Sequence, residues 1–141
     1  MSGAFETAAG AFAVVGVAEI VVRTGLELCR FIHAVKDAPQ SMHDLRKCVQ
    51  EVNALVYDCE KLRARAQLHH VPISTTSLES ALRALERELQ NLKLRISKYN
   101  GASKTWSRVK YVLDERRVEK SLINLERSKT LLTNALTIAC E

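Results

Sequence analysis

The sequence predicts an all-α fold: a bundle of four to five helices with a long apolar N-terminal helix. Three observations carry that expectation. The chain is rich in Leu, Ala, Glu, Lys and Arg, the residues that cost least in a helix. Two prolines and five glycines in 141 residues leave little punctuation for a sheet-rich fold. Apolar residues recur at alternating spacings of three and four along most of the chain. With 47% apolar residues, the length suits one domain with a real core, residues 1–141, better than two.

Residues 7–18 carry no charge. Glu19, Arg23, Glu27 and Arg30 then follow at spacings of four, four and three, which places them on one helical face. Val22, Leu26, Cys29 and Ile32 are assigned to the opposite side. The spacing predicts a helix over residues 6–35, stopped before Pro39, whose ring blocks continuation and biases Ala38 away from helix.

Ser41, with Asp44 three residues on, is the expected cap of a second helix. Leu45, Val52, Cys59 and Ala66 are seven apart, and Cys48, Val49, Leu55, Val56 and Leu62 fill the other seam. His69, His70, Val71 and Pro72 break the pattern. Thr76 and Glu79 form a capping box for a third helix, striped by Leu78, Leu82, Leu85, Leu89, Leu92, Ile96 and Tyr99. Asn100 and Gly101 stop it. Residues 103–113 read as a short helix across the bundle end. The last helix starts near Asp114, with the stripe Val118, Leu122, Leu125, Leu132, Leu136 and Ala139. Ser128 or Lys129 falls where that stripe expects an apolar group.

Motifs for catalysis are missing from the sequence. It has neither the glycine-rich phosphate loop nor the dinucleotide fingerprint. His33 and His43 lie on either side of Pro39, His69 and His70 are adjacent, and the four cysteines form no C-x-x-C pair. No enzyme activity, metal or cofactor is expected. The cysteines fall mainly at apolar helical positions and no secretory signal is visible, so a reducing, cytoplasmic compartment is expected.

The net charge of +5 is unevenly placed. Residues 1–70 balance at eight basic and eight acidic, whereas residues 71–141 carry thirteen basic and eight acidic. Lys98, Lys104, Trp106, Arg108 and Lys110 form a basic-aromatic candidate surface, either for an anionic headgroup layer or as a solvated helix end with Trp106 capping the core. With no recognised DNA- or RNA-binding motif, nucleic acid is not expected. The N-terminal helix is the other candidate. Its glycines permit close helix approach, but its apolar stretch, residues 7–22, is short of the roughly 20 residues a crossing needs. It reads either as a buried central helix or as a segment remodelled to enter a membrane.

The opening GAFAVVGVAEIVVRTGLELCRFIHAVKDAP, the following SMHDLRKCVQEVNAL and the closing WSRVKYVLDERRVEKSLINLERSKTLLTNAL resemble the N-terminal domains of fungal STAND proteins, NOD-like receptors built around a NACHT-type or NB-ARC-type NTPase. More narrowly, the chain resembles the HeLo-like helical cell-death domains, similar in outline to the four-helix killer domain of necroptotic pseudokinases. The resemblance implies the effector or signalling domain of a larger receptor. It implies homotypic oligomerisation on activation, a downstream NTPase domain, and recruitment to anionic lipids at the plasma membrane. The implied membrane and oligomerisation residues are Phe5, Phe12, Val15, Gly16, Val17 and Glu19. The competing expectation is a non-lytic protein-interaction or regulatory bundle of the same kind of receptor.

Overall fold

A computed structural model describes residues 2–70 and 76–140, with side chains over residues 14–70 and 76–138. Five helices follow one another: α1 (Ser2–Ala34), α2 (Gln40–Leu68), α3 (Thr76–Ile96), the single turn α4 (Trp106–Val109) and α5 (Glu115–Cys140). Helix α1 packs on α2 and α3, and α5 packs on the same two. The long helices therefore occupy the corners of a square, with α1 diagonal to α5.

The core follows from the stripes. Leu78, Leu82, Leu85, Leu89 and Leu92 of α3 are fully buried, as their spacing predicts. From α2 come Leu45, Val49, Val52, Val56 and Cys59, and from α1 Val14, Val17, Val21, Leu28 and Ile32. In α5 the buried line is Val118, Ser121, Leu125, Ser128, Leu132 and Ala135. It is shifted from the expected one: Leu122 and Leu136 only flank the core, and Ala139 lies outside the described side chains. Two serines occupy core positions, and the Ser121 hydroxyl is buried without a hydrogen-bond partner.

Polar clamps hold α5 on both sides. The Lys129 ammonium bridges Glu51 of α2 at 2.6 Å and Glu126 at 3.0 Å. On the α3 side, Asn124 donates to Glu88 at 3.3 Å, and Arg117 lies 3.8 Å from the same carboxylate. Burial pulls the Lys129 pKa down, but hydrogen bonds to Glu51 and Glu126 outweigh it and leave it raised. The Lys129 hydrogen bond in turn holds the Glu126 carboxyl below its ordinary value.

The connections depart from expectation in detail. Helix α2 starts at Gln40, with Pro39 at the cap position and no side-chain cap. Ser41 donates to Glu115 instead, at 3.5 Å. Helix α2 ends at Leu68, with His69 as its C-cap, and Val71 and Pro72 lie outside the described residues. Glu79 accepts from Arg83 at 3.2 Å. Asp37 turns the chain at φ 59° after α1. Lys36 then donates to the Lys104 carbonyl and accepts from the Trp106 amide, each at 2.9 Å, which pins α4 across the end of α1.

Helix α1 corrects the expected long apolar N-terminal helix. It is 33 residues long, but among the described residues no helix is long and apolar enough to cross a membrane. Its apolar side is used up as a wall of the core, while Glu19, Arg23 and Arg30 are exposed. A face this charged is costly to place in hydrocarbon.

Candidate protein-docking groove

The outer seam between α1 and α2 forms an open groove of about 600 Å³. Val15, Ala18, Val22 and Leu26 line it from α1, and Asn53, Val56 and Tyr57 from α2. Glu19, Arg23, Glu27, Arg30 and Glu60 form its rim. Two large apolar side chains stand out of it: Leu26 is 47% exposed and Tyr57 62%. This corrects the sequence assignment of Leu26 to the inner side. Leu28 takes the core position, because the inward line of α1 runs through Val21, Thr24, Gly25 and Leu28.

The two helices come close at Gly25. A Cβ there would lie 2.7 Å from Asn53 Oδ1 and 3.1 Å from Val49 Cγ1. Only glycine fits this crossing without displacing Asn53, which offsets its unfavourable helix propensity. The Asn53 Oδ1 is buried and without a hydrogen-bond partner, as is Glu60 Oε1. The other Glu60 oxygen accepts from Arg63 at 3.3 Å. On the outer side the Lys61 ammonium sits 4.7 Å from the centre of the Tyr57 ring. A groove with an apolar floor and a mixed-charge rim is suited to an amphipathic helix.

The sequence candidates divide. Val15 and Glu19 meet in the groove, Gly16 is exposed beside it, and Val17 is buried in the core. The side chains of Phe5 and Phe12 lie outside the described residues. The basic-aromatic residues gather at the far end of the bundle. Lys98, Arg108 and Lys110 are exposed there, and Lys104 lies 5.8 Å from the centre of the Phe31 ring. Trp106 packs against the core rather than projecting. Tyr111 is the exposed aromatic, with Lys110 lying over its ring. Sequence reasoning did not find Tyr57, Asn53 or Glu60 as partners of α1. Their one signal was an aromatic lying off the α2 heptad seam.

The thiols among the described residues show no activation. Burial pushes Cys48 up to about 12, helped by a hydrogen bond with Glu126, and pushes Cys59 up to about 12, helped by Glu60 and Asp58. Burial also raises Cys29, against the opposing Arg46. All three are unpaired, and all stay protonated at neutral pH, whereas a cysteine nucleophile acts as the thiolate. Among the described residues no group of three His, Cys, Asp or Glu side chains is placed to hold a metal.

The expectation that the domain engages membranes through its N-terminal helix is corrected by the same geometry. No described helix is long and apolar enough to cross a membrane. Withdrawing α1 would strip Val21, Leu28 and Ile32 from the core, each side chain about 1.5–3 kcal/mol of burial. Comparison with protein-family models, curated proteins and solved structures found no match to this chain.

Proposed function

We propose that the chain is a non-catalytic protein-interaction bundle, a regulatory domain of a STAND-type receptor whose downstream partner is the NTPase of the same protein. The observation that carries this reading is the α1/α2 groove, where Leu26 and Tyr57 stand exposed within a ring of charges. Exposed apolar side chains gathered in one concave place, rimmed by polar ones, mark contact surfaces more often than scattered ones do. The unpaired thiols of Cys29, Cys48 and Cys59 suit the reducing cytoplasm, where such receptors work.

A photo-crosslinking residue at position 57 tests the reading in cells. It will capture a protein partner, and the capture will disappear when Leu26→Asp is added. The same residue at Glu119, exposed on the diagonal helix α5, will capture none. Equal capture at the two positions, no capture at 57, or capture indifferent to Leu26→Asp would contradict the proposal.

A further inference from the structure

The exposed line on α1 runs Gly16, Glu19, Arg23, Leu26, Arg30, His33. Its spacings are three, four, three, four, three, so it forms a continuous stripe along one face of the helix, with Leu26 as its one large apolar member. Read backwards, the stripe complements itself. Position 16 meets 33, 19 meets 30, and 23 meets 26, each pair summing to the same number. Glu19 therefore faces an arginine at one end, and Arg30 faces a glutamate at the other. In-register parallel pairing would set every charge on its like, Glu19 on Glu19, Arg23 on Arg23 and Arg30 on Arg30, whereas the antiparallel pair brings only the two Arg23 side chains near each other.

We infer that the groove face of α1 docks a second copy of this chain, as an antiparallel twofold pair centred between Arg23 and Leu26. The inference rests on the interaction-module reading and names its partner. At the centre, Leu26 lies against the aliphatic stem of the partner's Arg23. The two Arg23 guanidinium groups come near one another there, and Glu27 stands beside them. Glu27 is held 3.1 Å from Lys93, in a pair whose two side chains are 39% and 42% exposed. A pair so open to solvent can also share its carboxylate with the partner's Arg23. At the ends, a Cβ added to Gly16 would meet nothing within 4 Å, which leaves room for the partner's His33. An unrelated helix would need a matching charge order, whereas the stripe supplies its own.

The stripe spans 18 residues, about 26 Å from end to end at about 1.5 Å per step. An interface of that length, with Tyr57 at its edge, sits at the small end for specific complexes. The pair is accordingly weak and salt-dependent, and gains strength when a larger assembly brings copies together.

Sedimentation velocity on the 141-residue chain tests this with charge reversals at exposed positions, with helicity checked by circular dichroism. The wild-type chain will dimerise at about 50 mM salt and at least roughly tenfold more weakly at about 500 mM. Glu19→Arg and Arg30→Glu will each be monomeric. Mixing the two will restore a dimer, because each supplies the charge the other lacks, and the double variant will dimerise alone. A wild-type chain that stays monomeric throughout, a single reversal that still dimerises, or a mixture that stays monomeric would overturn the proposal. Crosslinking from position 57 to a different protein, with a monomeric wild type, would overturn self-pairing and leave the interaction module standing.

Discussion

Leu89→Ala will destabilise the bundle by about 3 kcal/mol and lower its melting midpoint by roughly 10 °C. Leu89 is fully buried on α3, the helix that packs against both α1 and α5. Truncation removes the transfer energy of its side chain and leaves a cavity that long helices cannot easily close. Leu94 lies on the same helix and is 63% exposed. Leu94→Ala will therefore cost less than about 0.5 kcal/mol. Chemical denaturation of the two variants checks the contrast, and equal losses would mean that α3 is rotated about its axis from the placement described.

Gly25→Leu will cost about 2–3 kcal/mol, because it overpacks the α1/α2 crossing. Its Cβ alone would lie 2.7 Å from Asn53 Oδ1 and 3.1 Å from Val49 Cγ1, so both side chains must give way before the rest of the leucine is placed. The same substitution at Gly16, where a Cβ meets nothing within 4 Å, will be neutral or stabilising, since glycine is a poor helix former. Thermal unfolding of the two variants reads the difference. A mild Gly25→Leu would show that α1 and α2 are not in close contact there, and the groove between them would lose its floor.

Much of the helical layout was legible in the sequence. The α3 stripe of leucines could be read directly, because each apolar position is filled by a large side chain and the opposite face is charged. Residues 103–113 read as a short helix across the bundle end; the helix there is the single turn α4, and the pairing of Lys104 and Trp106 with Lys36 is a tertiary contact that no local pattern announces. Helix α5 was read less well. Ser121 and Ser128 are buried, but a hydrophobicity pattern passes over small polar residues. Helix α1 was the hardest to orient. Its first half is apolar on every side, so periodicity gives no phase, and its inward line includes Thr24 and Gly25.

The candidate site was only partly legible, for a related reason. The charges Glu19, Arg23, Glu27 and Arg30 were seen to share a face of α1. That they flank an apolar floor depends on Val56 and Tyr57, more than 25 residues away on α2. Residues that line one wall of a groove can be read from a helix period, but the opposite wall comes from the fold. Resemblance drew attention to the apolar residues at the start of α1. The structure instead exposes the mixed-charge face beyond them.

In the proposed function, α1 stays seated in the bundle and presents its outer face for docking. Native-state hydrogen exchange on the wild-type chain tests it most directly. Amides of residues 21–32 in α1 will exchange as slowly as those of residues 49–56 in α2 and 82–92 in α3, all through global unfolding. Exchange of residues 21–32 faster by an order of magnitude or more, with α2 and α3 still protected, would show that α1 detaches from an otherwise folded bundle and would contradict the account.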